Sequence, residues 1–319
     1  MNFKSLLLVP FVIFLSCNQK IDTPPQVALE IDQEVLTYIT VLGIAQDAGY
    51  PQINRPSGFN AVNNGTRRRE QVAALGLIDK EATKKYLFDA TPDMPQQLFN
   101  MEHNHLKSNT IIDGIFLTHA HIGHYVGLMY LGREAMGSHN IPVYAMPRMQ
   151  EFLKNNGPWS QLVNLENIAI QPIQADSTLT LTPAIQVTPF VVPHRDEYSE
   201  TVGYYIQGPS KSALFIPDIN KWNIWERNIV EEVKAVDYAF LDATFFADGE
   251  IPRPMSEIPH PFIEETAALF ENEDASIKSK IVFIHFNNSN PAMDPTDPSR
   301  KKLEVQGFKF AQEGDLFSL

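Results

Sequence analysis

Three histidines fall within a six-residue segment of the chain, at His119, His121 and His124. The first two are two positions apart, so that on an extended segment their imidazoles point to the same side. His124 lies where a predicted helix begins, and from there it can face a second ion. Imidazole nitrogens that converge on one point at about 2.0–2.1 Å bind zinc. We therefore interpret the segment as part of a metal site rather than as a histidine-rich surface loop.

The composition limits the other ligands that such a site can have. The chain has 319 residues, nine histidines and one cysteine, Cys17. A Cys-rich zinc site is thereby excluded, and a metal must be held by histidines and carboxylates. The formal net charge is −13, from 38 acidic and 25 basic residues. This balance predicts a small-molecule substrate and no nucleic-acid partner, because phosphate backbones are bound by clustered positive charge.

Predicted strands bring further polar side chains towards the histidines. Segments rich in β-branched and aromatic residues, bounded by Gly, Pro, Asn or Asp, indicate strands at 38–42, 86–88, 114–117, 142–144, 185–190, 202–206, 213–216, 238–241 and 281–284. Helical patterns occupy 94–104, 124–136, 147–156, 222–234, 261–272 and 297–305. Four strands lead into a His or Asp at their ends: Asp89, His119, Asp218 and His285. Buried strands that end in this way assemble a polar site at one sheet edge.

The alternation of strands and helices predicts a layered α/β protein. No change of composition marks a second domain, so we interpret 30–319 as a single domain. The frame His119-x-His121-x-Gly123-His124 resembles the His-x-His-x-Asp-His signature of the metallo-β-lactamase superfamily. The resemblance implies a four-layer αββα sandwich. Within the superfamily the chain most resembles the PqqB-like (pyrroloquinoline quinone biosynthesis protein B-like) proteins, through segments 41–52, 117–127 and 281–291.

The resemblance also implies the ligand set. A first metal is expected on His119, His121, His194 and Asp218, and a second on His124, His285 and a bridging Asp218. Zn²⁺ is the favoured metal, with Fe or Mn as alternatives. Gly123 replaces the family aspartate that binds the second metal, so we expect one firm site and a weak second one. Asp47, in the opening segment, is a candidate replacement carboxylate, and a turn residue is the other interpretation. Asp89 resembles the family aspartate that supports the metal loop by hydrogen bonds.

The function that the resemblance implies is metal-dependent hydrolysis. A metal lowers the pKa of its bound water from about 15.7 to about 7, and the resulting hydroxide attacks an ester, amide or phosphoester. In this scheme Asp218 steers the attack and His260 protonates the leaving group; for His260 a structural loop role is the alternative. Two other functions stay open. One is a PqqB-like iron-dependent oxidative enzyme, and the other is a non-catalytic, lipid-anchored metal-binding protein.

The amino-terminal segment resembles a bacterial lipoprotein signal. Residues 1–17 contain Lys4, an apolar run over 6–15 and a small residue, Ser16, directly before Cys17. Residues 18–29 are polar, include two prolines and are predicted to form a tether. The expected location is outside the cytoplasm, with a lipid on Cys17 anchoring the protein to a bacterial membrane, on the periplasmic side or at the cell surface.

This expectation predicts that Cys17 is acylated in the cell. Metabolic labelling with palmitate should mark the wild-type protein and leave the Cys17→Ser variant unlabelled. An unlabelled wild-type protein would contradict the proposed anchor.

Overall fold

The structure, a computed structural model, describes residues 35–319. The predicted signal at 1–17, the tether at 18–29 and the first residues of the predicted domain lie outside the described residues. Within 35–319 no helix is long and apolar enough to cross a membrane. The strands are β1 Thr37–Gly43, β2 Ala74–Asp79, β3 Lys84–Phe88, β4 Gly114–Phe116, β5 Ile141–Ala145, β6 Ile168–Pro172, β7 Leu179–Thr182, β8 Ile185–Val191, β9 Val202–Gln207, β10 Ser212–Ile216, β11 Tyr238–Asp242, β12 Ile281–Ile284, β13 Lys309–Phe310 and β14 Leu316–Ser318.

Nine α-helices lie between these strands in the described part of the chain. They are α1 Pro56–Asn63, α2 Met94–Asn100, α3 Ile122–Tyr125, α4 Pro147–Asn155, α5 Trp159–Asn164, α6 Ile229–Lys234, α7 Ile263–Leu269, α8 Ala275–Lys278 and α9 Pro298–Val305. A π-helical turn, Met101–His105, continues α2. Short 3₁₀ turns occupy Val126–Leu131, Trp222–Ile224, Met255–Glu257 and Pro291–Met293.

The strands form two seven-stranded sheets. The order is β14-β1-β2-β3-β4-β5-β6 in the first sheet and β13-β12-β11-β10-β9-β8-β7 in the second. Each sheet has an antiparallel part and a parallel part: β3 to β6 run parallel in the first sheet, and β10 to β13 in the second. The carboxyl ends of these parallel strands therefore lie along one edge of each sheet, which is where an α/β fold places its polar site.

The main core lies between the two sheets, because alternate residues of each strand face inward. Phe88 stacks on Phe116 with 5.0 Å between ring centroids, and it meets Phe215 of the second sheet edge-to-face at 6.1 Å. The opposite face of the first sheet packs on α2, α4 and α5, and helices α6, α7 and α9 contribute to the cluster of the second sheet. The expected four-layer αββα sandwich is confirmed.

Two predicted helices are corrected by the structure. The predicted helix at 124–136 is α3 followed by a 3₁₀ turn that ends at Leu131. Gly127 approaches the neighbouring backbone so closely that a Cβ there would lie 2.2 Å from the Thr91 carbonyl oxygen, which fixes the path of this turn. The predicted helix at 222–234 is a 3₁₀ turn and then α6, since Asn228 caps a new helix by accepting from the Val230 N–H at 2.9 Å.

The pairing register of the parallel strands places the predicted site residues at the same edge of each sheet. Ile216 pairs with Leu241, and Leu241 pairs with Phe283. Because the three strands are parallel and in register, the residues that follow them, Asp218 and His285, emerge at the same edge. In the first sheet Phe88 pairs with Phe116, so Asp89 and the segment that begins at Leu117 emerge together in the same way.

Candidate metal centre

Four side chains bring their ligand atoms within 4.8 Å of one another: His119, His121, His194 and Asp218. His119 Nε2 lies 2.9 Å from His121 Nδ1, and His121 Nδ1 lies 3.2 Å from His194 Nε2. The two oxygens of Asp218 lie 3.3 Å from His119 Nε2 and 3.3 Å from His194 Nε2. Three imidazole nitrogens and one carboxylate oxygen that face a common point are the donor set of a zinc site.

The ring orientations are fixed by hydrogen bonds on the far side of the imidazoles. Asp89 is fully buried, accepts hydrogen bonds from the Thr118 N–H and hydroxyl, and accepts one from His124 Nδ1 at 2.7 Å. The Thr118 hydroxyl in turn lies 2.9 Å from His119 Nδ1. Asn220 Oδ1 lies 3.1 Å from His194 Nδ1. Such partners turn the opposite ring nitrogen towards the metal position.

A second group joins Asp47, His124 and His285, whose ligand atoms also lie within 4.8 Å of one another. Asp47 comes from the loop after β1, His124 from α3 and His285 from the end of β12. His124 Nε2 lies 3.5 Å from Asp47 Oδ1 and 3.8 Å from Asp218 Oδ2. The structure thus places the candidate carboxylate Asp47 opposite the histidine that follows Gly123.

Buried atoms without hydrogen bonds show that these residues fit a cation. Within the described residues, four of the eight buried side-chain atoms that lack a partner belong to this centre: Asp47 Oδ1, His124 Nε2, Asp218 Oδ1 and His285 Nε2. A buried polar atom without a partner costs about 1–3 kcal/mol, so natural proteins rarely keep one. A bound metal ion would satisfy such atoms, because carboxylate oxygens and neutral imidazole nitrogens offer it a lone pair and His124 would lose its Nε2 proton on binding.

Burial and neighbouring charges shift the pKa values of the ionisable side chains in the centre. Burial opposes ionisation of Asp218, but His194 and His260 beside it hold the pKa of its carboxyl well below the ordinary value. For His124, burial is outweighed by Asp89 and Asp47, which raise the pKa of the imidazole well above its usual range. For His119 burial dominates and lowers the pKa well below its usual range, so that its nitrogens stay neutral and able to bind metal.

His260 stands beside the first group. Its Nδ1 lies 2.8 Å from Asp242 Oδ2 and 3.1 Å from Asp218 Oδ1, and the ring is 4% exposed. Asp242, the last residue of β11, also accepts from the Thr244 hydroxyl at 2.7 Å. Burial alone would lower the pKa of His260, but Asp242 and Asp218 raise it to about 10. The two carboxylates therefore favour the protonated form of His260.

Three site residues have a strained backbone. Asp47, Asp89 and His285 have φ angles of 32°, 69° and 70°, in the left-handed region that non-glycine residues seldom occupy. Strain of this kind persists where the surrounding structure imposes it, and such residues concentrate at functional sites. Here each of the three residues directs a ligand or its supporting carboxylate into the centre.

A cavity of about 410 Å³ opens beside the metal groups. His260, Asp47 and Asn287 line it together with Phe245 and Ile258. Asn287 and Asn288, in the segment after His285, donate to Gln46 and Gln52 across this cavity rather than to His285. A larger cavity, of about 750 Å³, lies beside Trp222 and Trp225 and has none of the candidate ligands on its wall.

The structure also locates the other histidines. His103 and His139 are exposed, whereas His105 is half-buried. Its ring nitrogens lie 3.3 Å from the Tyr38 and Thr40 hydroxyls, and burial lowers its pKa to about 4. His105 supports the outer face of the first sheet and lies outside the candidate site.

Sequence reasoning missed several residues around the site. Asn220 and Glu197 contact ligand histidines, and Arg195 and Arg253 line the cavity. Asn220 lies two positions after Asp218, and Arg195 and Glu197 closely follow His194. Proximity to a predicted ligand was the only signal in the sequence for these three residues, and Arg253 has no such signal.

Comparisons with known proteins identify the family and the fold. Residues 84–286 match the family described as "Beta-lactamase superfamily domain". Two curated relatives are named coenzyme PQQ synthesis protein B. The protein of Gluconobacter oxydans is 26% identical over 310 residues, covering 88% of this chain and 98% of its own. The protein of Xanthomonas axonopodis pv. citri is 26% identical over 306 residues, covering 86% and 98%.

Two solved structures share the fold. Zn²⁺-bound PqqB from Methylobacterium extorquens superposes with a TM-score of 0.73 at 22% identity, covering 88% of this chain and 100% of its own. A diphosphatase of the PhnP family has a TM-score of 0.61 at 20% identity, covering 89% and 98%. At these identities the likeness shows the arrangement of sheets and helices.

Proposed function

The chain belongs to the metallo-β-lactamase superfamily, and from this premise we propose that it is a metal-dependent hydrolase of a small anionic molecule. The observation that carries the proposal is the convergence of His119, His121, His194 and Asp218 beside a cavity that His260 lines. A divalent cation in this group supplies a nucleophile at neutral pH, because it lowers the pKa of bound water to about 7. The Zn²⁺-bound PqqB structure supports zinc as that cation.

In this proposal Asp218 orients the attacking group and His260 donates a proton to the leaving group. Asp218 lies between the metal groups and the proton donor, with Oδ1 3.1 Å from His260 Nδ1, so its carboxylate can orient the attacking group. Asp242 accepts the hydrogen bond of His260 Nδ1, and Asp218 Oδ1 lies 3.1 Å from the same nitrogen. Within residues 35–319 the other ring nitrogen, Nε2, has no hydrogen bond and is therefore the one that can face a substrate. Through Nε2, His260 can donate a proton to a leaving group.

A second candidate function rests on the comparisons. The curated relatives are named for a biosynthetic pathway, and histidines with one carboxylate also suit non-haem iron. An iron-dependent oxidative reaction on the same cavity would use the same first ligand group. It differs from hydrolysis in its need for oxygen, and this difference separates the two functions. The third interpretation, a metal-binding protein without catalysis, expects no turnover under either condition.

We predict hydrolysis without oxygen. The zinc-loaded protein should cleave at least one of three probes, a 4-nitrophenyl carboxylic ester, a 4-nitroanilide and bis(4-nitrophenyl) phosphate, in an anaerobic cuvette where absorbance records the released product. Oxygen uptake by the iron-loaded protein with no cleavage of any probe would overturn the proposal in favour of oxidation.

The matched variant for this experiment is His260→Asn, which keeps a donor near Asp242 and removes the second ring nitrogen. If His260 is the proton donor, kcat should fall about 10²–10⁴-fold for a phenyl leaving group and less for a nitrophenyl one, with unchanged metal content. Equal losses for both leaving groups, or loss of metal, would assign His260 to structural support instead.

Arginines around the cavity indicate an anionic substrate. Six of the ten arginines form ion pairs with carboxylates within residues 35–319. Of the four that do not, Arg55, Arg195 and Arg253 line this cavity, and only Arg148 lies elsewhere. The acidic residues on the wall are Asp47 and Glu257. In a protein with a net charge of −13, three unpaired guanidinium groups beside a metal centre favour a phosphate or carboxylate group on the substrate.

We predict that these arginines affect binding rather than turnover. The double variant Arg195→Gln/Arg253→Gln should raise KM for 4-nitrophenyl hemisuccinate about 10- to 100-fold, since a hydrogen bond to a charged group contributes about 1.5–3 kcal/mol. KM for neutral 4-nitrophenyl acetate should stay unchanged. The control is Arg148→Gln, the remaining unpaired arginine. Equal effects on both esters would contradict an anion-binding role.

The proposed location of this activity rests on the amino-terminal sequence alone. We propose that the protein is exported and held at a bacterial membrane by lipid on Cys17, so that it would act on molecules outside the cytoplasm. The palmitate experiment described above tests this part independently of the reaction.

A further inference from the structure

Asp47 reaches the metal centre from a loop that carries none of the other candidate ligands. It lies in the loop after β1, and its Oδ1 is 3.5 Å from His124 Nε2. The third member of the group, His285, comes from the end of β12 in the other sheet. We propose that Asp47, His124 and His285 hold a second divalent cation, with Asp47 supplying the carboxylate that Gly123 cannot supply.

Hydrogen bonding does not account for this group. The ligand atoms of all three residues are buried, and none has a hydrogen-bond partner within residues 35–319. The distance of 3.5 Å between Asp47 Oδ1 and His124 Nε2 exceeds that of a charge-assisted hydrogen bond, about 2.7–2.9 Å. On their far sides both histidines are satisfied, by Asp89 and by Thr244. Both Nε2 atoms therefore have lone pairs or protons directed at a shared point that no protein atom fills.

Gly123 makes this arrangement possible. A Cβ at position 123 would lie 2.4 Å from Asp47 Cα and 2.6 Å from Asp47 Oδ1, which no real side chain tolerates. The backbone of Gly123 lies outside the left-handed region, so its φ angle does not require a glycine. The reason for glycine here is the space that Asp47 occupies. An aspartate at position 123 and one at position 47 are thus mutually exclusive ways of bringing a carboxylate to His124.

The chemistry of the group suits the same class of cation as the first site. Two imidazoles and a carboxylate are ligands of zinc and related divalent metals. Asp218, whose Oδ2 lies 3.8 Å from His124 Nε2, stands between the two groups and can serve both. Two ligand groups on either side of one shared carboxylate are the arrangement that two-metal hydrolytic sites use.

The test is metal stoichiometry in the full-length protein. Wild-type protein equilibrated with buffered Zn²⁺ and then gel-filtered should contain about two equivalents by elemental analysis, and Asp47→Asn about one, because the amide is a poor zinc ligand. Asp274→Asn, the same substitution at an exposed position directly before α8, should retain about two. A wild-type protein with a single equivalent, or an Asp47→Asn variant that keeps both, would overturn the inference.

A second variant removes the ambiguity of a ligand substitution. Gly123→Ala keeps every ligand residue in the sequence, but its Cβ forces the Asp47 loop away. It should therefore also lose the second equivalent and keep the first. Retention of both equivalents in folded Gly123→Ala would contradict the spatial argument. Since the readout is metal content, a failure of this site is distinguishable from a failure of the proposed hydrolysis, which would appear as absent turnover in protein that carries both ions.

Discussion

A buried carboxylate surrounded by imidazoles is the interaction on which the rest of the site depends. Asp218 is 3% exposed, and its oxygens face His119, His194 and His260 at 3.1–3.3 Å. An unpaired charge at this depth would be prohibitive, and imidazoles that all carried protons would repel one another. A cation that accepts the lone pairs of neutral imidazoles and the charge of the carboxylate resolves both conflicts. The fold builds a centre that is electrostatically complete when metal is bound.

The two sheets orient the imidazole rings of the centre by the same kind of hydrogen-bond chain. In each sheet a buried aspartate at a strand end orients the imidazoles, Asp89 in the first and Asp242 in the second. Asp89 contacts His124 directly and reaches His119 through the Thr118 hydroxyl. Asp242 contacts His260 directly and reaches His285 through the Thr244 hydroxyl. Because each aspartate fixes two rings at once, the orientation of these four rings is set by residues at the ends of strands.

Much of this centre could be predicted from the sequence because strand ends are local signals. A hydrophobic β-rich run followed by His or Asp identified Asp89, His119, Asp218 and His285 as neighbours, and parallel register brings them to one edge. His194 could be named only by resemblance to a family. The role of Asp47 could not be decided, since its proximity to His124 depends on how the loop after β1 folds over α3. The space beside Gly123 is likewise a property of the tertiary structure alone.

For the fold too, elements with a strong local sequence signal were predicted, and elements that depend on tertiary contacts were not. Strong β-rich runs such as β8 and β9 were predicted, whereas β2, with the sequence ALGLID, was missed because its glycine and its few β-branched residues give a weak strand signal. The edge strands β13 and β14 are two and three residues long, so pairing with neighbours defines them rather than sequence pattern. The 3₁₀ turn after α3 was predicted as helix because apolar spacing cannot register the close approach of Gly127 to Thr91.

Anomalous diffraction from crystals of the metal-loaded protein tests the central claim most directly. Data collected on either side of the zinc absorption edge should show a peak enclosed by His119, His121, His194 and Asp218, at zinc-ligand distances of about 2.0–2.2 Å. A fully loaded crystal without an anomalous peak among these four residues would contradict the account, since the imidazoles would then need another reason to converge on Asp218.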